Sequence, residues 1–130
     1  MNSALLPLAG RLLIAALFLV AGIRKVMMFS MSVGYFTKLG FPMPEVMTVI
    51  AIAIEIGGAL ALILGWKTRP AALLLALFTV IATFMAHRFW EFDAAQQANQ
   101  LNHFLKNAAI VGGLLFVAAS GPGRLSVGKS

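Results

Sequence analysis

The sequence predicts an all-α fold, an integral membrane bundle of four transmembrane helices joined by short loops. Apolar residues make up 61% of the 130 residues and charged residues only 11%, against about 25% charged residues in soluble domains. Four segments are long enough to cross a hydrocarbon core, which takes roughly 20 mostly apolar residues. A soluble bundle would need a polar outer face that this composition does not provide. We therefore expect a single transmembrane domain over residues 1–130.

The predicted helices cover residues 5–28, 44–64, 70–87 and 104–120. Their apolar residues run around the whole helix instead of along one stripe, which indicates contact with lipid. The first segment has no cationic start and is followed by no obvious cleavage site. We expect it to remain in the protein and not to act as a signal peptide.

The connections between these segments carry the usual signals for helix ends. Gly65 and Pro70 flank a basic turn, which predicts an antiparallel hairpin of the second and third helices, since Gly ends helices and Pro is tolerated in a first turn. Residues 29–43 are predicted to form a connection. Within the next connection, Asp93 is predicted to cap a short surface helix that runs to Asn102.

The net charge of +6 comes from basic residues scattered near the helix ends. This pattern favours membrane lipids over nucleic acid as the partner, because nucleic-acid binding needs a concentrated basic patch. Four spans place both termini on one side, and the excess of cations there predicts that this side is cytoplasmic. The cations on the two sides are Lys67, Arg69, Arg124 and Lys129 against Lys38, Arg88 and Lys106.

Glu55 lies 11 residues into the second predicted helix, about 16 Å deep by helical rise. An unpaired charge at that depth costs at least about 2.5–3.5 kcal/mol, so the carboxyl must be paired, protonated or in contact with water. Ala51 and Gly58 lie on the same helical stripe, and such small residues allow a partner helix to approach. We expect Glu55 to point into the bundle, as a structural ion pair or as a carboxyl that binds a ligand or a proton.

The first helix offers two cations for Glu55, because Arg11 and Lys25 share one stripe with Gly22. With aligned helix ends, Glu55 is level with residue 17, so Arg11 is displaced by about 9 Å and Lys25 by about 12 Å along the axis. The shorter displacement favours Arg11. Alternatively, both cations extend to lipid phosphates.

Further polar residues are expected at the membrane face opposite the termini. Thr79, Thr83 and His87 follow each other at spacings of four in the third helix. No third ligand with a recognisable spacing accompanies His87 and His103, so we expect no metal site, and His87 can equally be a locally bonded helix-end histidine. The predicted site for a ligand or a proton consists of Arg11, Lys25, Glu55, His87, Lys106 and Asn107.

The sequence contains no motif that names a reaction. It lacks a nucleophile elbow, a phosphate loop, a haem ligand pair and a dinucleotide fingerprint, so the catalytic residues are unknown and an independent enzyme is not indicated. The chain also has no cysteine, which excludes disulfide, thiolate or cysteine-ligated cluster chemistry within it.

A set of short motifs nevertheless occurs in a distinctive order along nearly the whole chain. They are Gly10-Arg11-Leu12-Leu13, Gly22 three residues before Lys25, Leu39-Gly40-Phe41-Pro42, Glu55-Ile56-Gly57-Gly58, Thr68-Arg69-Pro70, Phe104-Leu105-Lys106-Asn107, Gly112-Gly113 and Gly121-Pro122-Gly123-Arg124-Leu125-Ser126. In this order and spacing the sequence resembles the DoxX family of small bacterial inner-membrane proteins. The resemblance implies a four-helix membrane bundle and an association with redox chemistry.

Some DoxX-like proteins are subunits of thiosulfate:quinone oxidoreductases, and others join a complex with superoxide dismutase and a sulfurtransferase in thiol homeostasis. Without cysteine, a similar role here would need a quinone, another small molecule or a redox partner protein. Our hypothesis is a membrane subunit of a redox or oxidative-stress system with an intrabundle site for a quinone-like or small anionic ligand. The alternative is a noncatalytic scaffold or homo-oligomeric packing module, and a channel is disfavoured by the apolar middle of the fourth helix.

Overall fold

A computed structural model describes residues 4–128, all of whose regular elements are helical. This confirms the predicted fold class. The elements are α1 (Leu5–Met27), α2 (Phe29–Lys38), α3 (Pro44–Leu64), α4 (Thr68–Ala86), a 3-10 turn (Phe89–Glu91) and α5 (Ala94–Ser120). Four of them, α1, α3, α4 and α5, are long and apolar enough to cross a membrane.

The four long helices pack in the order α1, α3, α4 and α5, and a smaller contact between α5 and α1 closes the bundle. Small residues let the axes approach, since a Cβ added at Gly58 of α3 would lie 2.8 Å from Leu75 of α4. The buried core consists of Ala15, Phe18, Ala59, Leu62, Ala72, Leu75, Ala76 and Leu114.

The fourth spanning helix begins ten residues earlier than the predicted start at residue 104. Asp93 is the N-cap, and its carboxylate accepts a hydrogen bond of 3.1 Å from the Gln96 backbone N–H. The predicted cap is therefore confirmed, but the separate surface helix is wrong, because no Gly or Pro interrupts the chain between Ala94 and His103. At 27 residues, α5 is about 40 Å long and exceeds a hydrocarbon core of about 30 Å.

The predicted connection over residues 29–43 contains a ten-residue helix, α2. The chain breaks at Met28 (φ −118°, ψ 47°), so α2 starts in a new direction after α1. It packs against α3 and, less extensively, against α1. This helix covers the end of the bundle that lies opposite the chain termini.

Candidate ligand cavity

A cavity of about 440 Å³ lies inside this end of the bundle and is lined mostly by apolar side chains. Residues from all five helices contribute to its wall, with α2 forming one side. The polar or ionisable side chains among its lining residues are Lys25, Tyr35, Glu55, Thr79, His87 and Asn107.

Lys25 and Glu55 form an ion pair in the wall of this cavity. The Lys25 Nζ lies 2.8 Å from the Glu55 Oε1, and the two side chains are 26% and 5% exposed. The pair joins α1 to α3 at mid-height of α3. Glu55 therefore points into the bundle, as its stripe of small neighbours predicted, and is neutralised by a nearby cation as its depth requires.

The expectation that Arg11 is the better placed partner is wrong. A Cβ built at Gly22 would lie 3.3 Å from the Glu55 Cβ, so Glu55 is level with residue 22 and not with residue 17. Lys25 is one helical turn further along α1, and helical side chains lean back toward the N-terminus of their helix. Its ammonium group thus returns to the level of Glu55.

Arg11 lies at the other end of α1 and does not line the cavity. It is 1% exposed; its Nη1 donates to the Leu62 carbonyl at 2.7 Å and its Nη2 donates to the Leu125 carbonyl. The carbonyls in the last turn of a helix have no partner within the helix, and a cation near them is favourable. Arg11 therefore fixes the C-terminal tail to the end of α3 and has no place in the cavity site.

The C-terminal tail is held at the same point by two further features. The Val127 N–H donates to the Leu64 carbonyl at 2.8 Å. Gly65 ends α3 with φ +72°, and a Cβ there would collide with Ser126. Lys129, counted above among the cations of this side, lies outside the described residues.

Helices α4 and α5 meet at the cavity through hydrogen bonds between side chains. The Asn107 Nδ2 donates to the Thr83 Oγ1 at 2.9 Å, and the Thr83 hydroxyl donates to the Thr79 carbonyl at 2.6 Å. The His87 Nδ1 lies 2.8 Å from the Gln100 Oε1, within hydrogen-bond distance. The rings of His87 and His103 stack with centroids 4.9 Å apart.

Among the residues predicted for the site, the structure brings four into one cavity wall and leaves two elsewhere. Lys25, Glu55, His87 and Asn107 line the cavity. Lys106 is exposed on the outer face of α5 and does not line it. In the described part of the chain, no group of three or more histidine or carboxylate side chains is placed to hold a metal ion.

Sequence reasoning missed the wall that α2 and the loop after it supply. Tyr35, Phe36, Leu39 and Phe41 line the cavity. Partial burial raises the pKa of the Tyr35 phenol above its ordinary value, so this group stays protonated at neutral pH and can donate a hydrogen bond. No pattern in Phe29–Lys38 indicates that this segment is a helix against the cavity, because it is too short and too mixed in polarity to predict a span.

Comparison with known proteins decides the family. The family model of DoxX matches residues 6–88. The chain belongs to the DoxX family. Inner membrane protein YphA of Escherichia coli is 32% identical over 124 residues, which cover 95% of this chain and 89% of YphA. Inner membrane protein YqjF of the same organism is 35% identical over 122 residues, covering 94% of this chain and 88% of YqjF.

Eukaryotic proteins are also similar to this chain. ER-derived vesicles protein ERV29 of Saccharomyces cerevisiae is 29% identical over 119 residues, which cover 92% of this DoxX chain but only 31% of ERV29. No solved structure gives a significant match. The chain is thus a DoxX membrane protein with four apolar helices, similar in nearly its whole length to bacterial inner membrane proteins.

Proposed function

We propose that this DoxX protein is a membrane subunit of a redox or oxidative-stress system and that its cavity binds a quinone-like or small anionic ligand. The observation that carries the proposal is the Lys25–Glu55 ion pair in the wall of an otherwise apolar cavity. An apolar pocket with a few converging polar groups is the usual form of a small-molecule site, and about 440 Å³ falls within the typical range of roughly 300–1,000 Å³.

The chemistry of the wall fits a quinone ring. A quinone offers a flat apolar face and carbonyl oxygens that accept hydrogen bonds. The Lys25 ammonium and the Tyr35 hydroxyl supply donors, while the Glu55 carboxylate can accept a proton from a quinol. In this proposal the ligand set is Lys25, Tyr35, Glu55, His87 and Asn107. Because the chain has no cysteine, it cannot carry out thiol chemistry by itself, and in this proposal a redox partner protein supplies or takes up the electrons.

The same ion pair suits a small anion in a different way. An anionic ligand would compete with Glu55 for the Lys25 ammonium, so it would bind best when Glu55 is neutral. Glu55→Gln would then strengthen anion binding, whereas it should weaken a ligand that needs the carboxylate. The sign of this effect separates the two ligand classes.

The first experiment is native mass spectrometry of protein purified from membranes, with parallel extraction of lipids and quinones. The wild type is compared with Glu55→Gln and Lys25→Met. The matched control is Glu45→Gln, the same chemical change on an exposed residue of the same helix. A bound quinone in the wild type and in Glu45→Gln that is lost from Glu55→Gln and Lys25→Met would support the quinone. A bound anion that is kept in Glu55→Gln and lost only from Lys25→Met would support the small anionic ligand. An empty cavity in every sample would contradict the proposal.

A noncatalytic scaffold remains the second candidate, and one observation favours it. The polar contacts at the cavity join different helices, as Lys25–Glu55 joins α1 to α3 and Asn107–Thr83 joins α5 to α4. Such contacts can fix the relative position of helices without any chemistry. The scaffold predicts that a folded Glu55→Leu variant leaves the oxidant sensitivity of cells unchanged, whereas the cavity proposal predicts increased sensitivity.

A further inference from the structure

The sides of the cavity differ in how completely the protein closes them. Toward the chain termini the bundle is closed, because Gly58 and Leu75 bring α3 and α4 into contact and the core below them is buried. Toward the opposite membrane surface, Phe36 of α2 and Leu39 and Phe41 of the loop after it cover most of the cavity. Tyr35, which also lines the cavity, is 48% exposed on this side. A path for a ligand must therefore be sought between helices, at the level of the hydrocarbon core.

Such a path exists between α3 and α4. Ile50 on α3 and Leu74, Leu77 and Ile81 on α4 all line the cavity. The same four side chains are 45%, 45%, 58% and 51% exposed. A cluster of lining residues on two adjacent helices that are all about half exposed marks the place where the cavity reaches the bundle surface. We call this place the α3–α4 opening and define it by these four residues.

The opposite wall, between α1 and α5, is less open. Leu17 of α1 lines the cavity and is 48% exposed, but its counterpart on α5, Ile110, is half-buried and packs against the core. This side offers one exposed lining residue against four at the α3–α4 opening. The rim of the opening is also wholly aliphatic, as the lipid-facing surface requires.

We propose that the cavity opens sideways into the bilayer through the α3–α4 opening, and that its ligand is a membrane-dissolved amphiphile. Its polar ring lies against Lys25 and Glu55, and its apolar chain leaves the bundle between Ile50 and Leu77. This inference rests on the proposed function, because it specifies the class of ligand for the same cavity. A small water-soluble anion would gain nothing from an aliphatic opening into lipid.

The absence of cysteine from the sequence allows a direct test of access. Ala82 lines the cavity and is half-buried, so Ala82→Cys places a single thiol inside it. The protein in lipid nanodiscs is treated with a maleimide carrying a long alkyl chain or with a charged, membrane-impermeant maleimide. Gln97→Cys, at the exposed polar start of α5, provides the control thiol that the charged reagent must reach.

Bulky substitutions then locate the path. Leu77→Trp fills the α3–α4 opening, and Leu17→Trp does the same on the α1–α5 side. Leu73→Trp is the control for folding, because Leu73 is 52% exposed on α4 but does not line the cavity. All three are combined with Ala82→Cys, and the rate of alkylation is measured by mass spectrometry.

We expect the alkyl reagent to modify Ala82→Cys at least about tenfold faster than the charged reagent. This ratio corresponds to a difference of about 1.4 kcal/mol between the barriers to entry of the two reagents. Leu77→Trp should slow this reaction by a similar factor, whereas Leu17→Trp and Leu73→Trp should leave the rate unchanged. Equal rates with both reagents, no modification, or slowing by Leu17→Trp instead of Leu77→Trp would overturn the proposal.

Binding of a benzoquinone with and without a decyl chain separates this inference from the proposed function. With a lateral opening, Leu77→Trp weakens binding of the decyl compound and leaves binding of the chain-free ring nearly unchanged. Equal effects on both compounds would overturn the inference. If neither compound binds to the wild type while the alkylation results are as expected, the quinone assignment fails and the lateral opening stands.

Discussion

Gly22 of α1 lies directly against Glu55 of α3. A Cβ added to Gly22 would be 3.3 Å from the Glu55 Cβ and 2.6 Å from the Ile56 Cγ1. The missing side chain lets the two helices approach at the level of the carboxyl. It also places Lys25 one turn away, where its ammonium group reaches Glu55. The contact between the two helices thus positions the polar wall of the cavity.

Gly22→Ala is expected to destabilise the protein. The added methyl group would meet the branched Ile56 side chain, and overpacking of this kind costs about 1–3 kcal/mol. Gly10→Ala is the matched control on the same helix, because nothing lies within 4 Å of its added Cβ and alanine favours helix by up to about 1 kcal/mol over glycine. Thermal unfolding in one detergent compares them; equal midpoints for the two variants would contradict the close contact.

Single and double substitutions of the ion pair are expected to be non-additive. Removal of one partner from a buried pair costs roughly 3–5 kcal/mol, and we expect a smaller loss here because Lys25 keeps some exposure. Glu55→Leu combined with Lys25→Met removes both charges and should restore most of the stability. Unfolding measurements on all four proteins give the coupling free energy, and additive losses would show that the pair does not exist.

Arg11→Gln is expected to loosen the C-terminal tail without affecting ligand binding. Each hydrogen bond from a charged donor contributes about 1.5–3 kcal/mol, and Arg11 donates such bonds to Leu62 and Leu125. Limited proteolysis should cleave the tail faster in this variant than in the wild type. Lys106→Gln serves as the control, since Lys106 is exposed. A stable Arg11→Gln variant that has lost its ligand would return Arg11 to the site.

Asp93→Ala is expected to fray the start of α5. An N-cap substitution to alanine costs about 0.5–2 kcal/mol, and the Asp93 carboxylate accepts the Gln96 N–H. Hydrogen exchange should increase in the first turn of α5 and remain unchanged beyond Asn107. Asp93→Asn retains a side-chain acceptor and should protect the same amides, so fast exchange in both variants would argue against the cap.

The predicted orientation can be measured with single cysteines in this cysteine-free chain. The turn that contains Lys67 lies on the side of the termini, and the polar start of α5 lies on the other. Lys67→Cys should react with a membrane-impermeant maleimide only after the cells are broken, when the reagent reaches the cytoplasmic face. Gln97→Cys should react with the same reagent in intact cells. The reverse pattern would place the termini outside the cytoplasm.

The fold could be predicted almost completely from the sequence, because length and hydropathy decide whether a helix crosses a membrane. The errors fell where hydropathy carries no information. The polar turns from Ala94 onward belong to α5, because no Gly or Pro separates them from the apolar part of the helix. The helix α2 is too short for hydropathy to identify it as a span. The Asp93 cap was readable, since capping depends on local chemistry.

The candidate site was predictable only in part. Glu55 and its inward direction followed from depth and from the small residues on its stripe. The identity of the cation that pairs with Glu55 could not be predicted, because the axial shift of α1 against α3 depends on the contact between Gly22 and Ile56. The assumption of aligned helix ends favours Arg11 instead. Likewise, no local pattern shows that Tyr35 lines the cavity, since its position depends on the turn at Met28.

Photolabelling with an azido-quinone in native membranes tests the central claim most directly, because it reports which residues contact the ring. We predict labelled peptides that contain Lys25, Tyr35 or Glu55, suppression of the label by excess quinone, and loss of the label in Glu55→Gln but not in Glu45→Gln. Labelling that excess quinone does not suppress, or labelling confined to the lipid-facing surface of α5, would contradict a quinone site in the cavity.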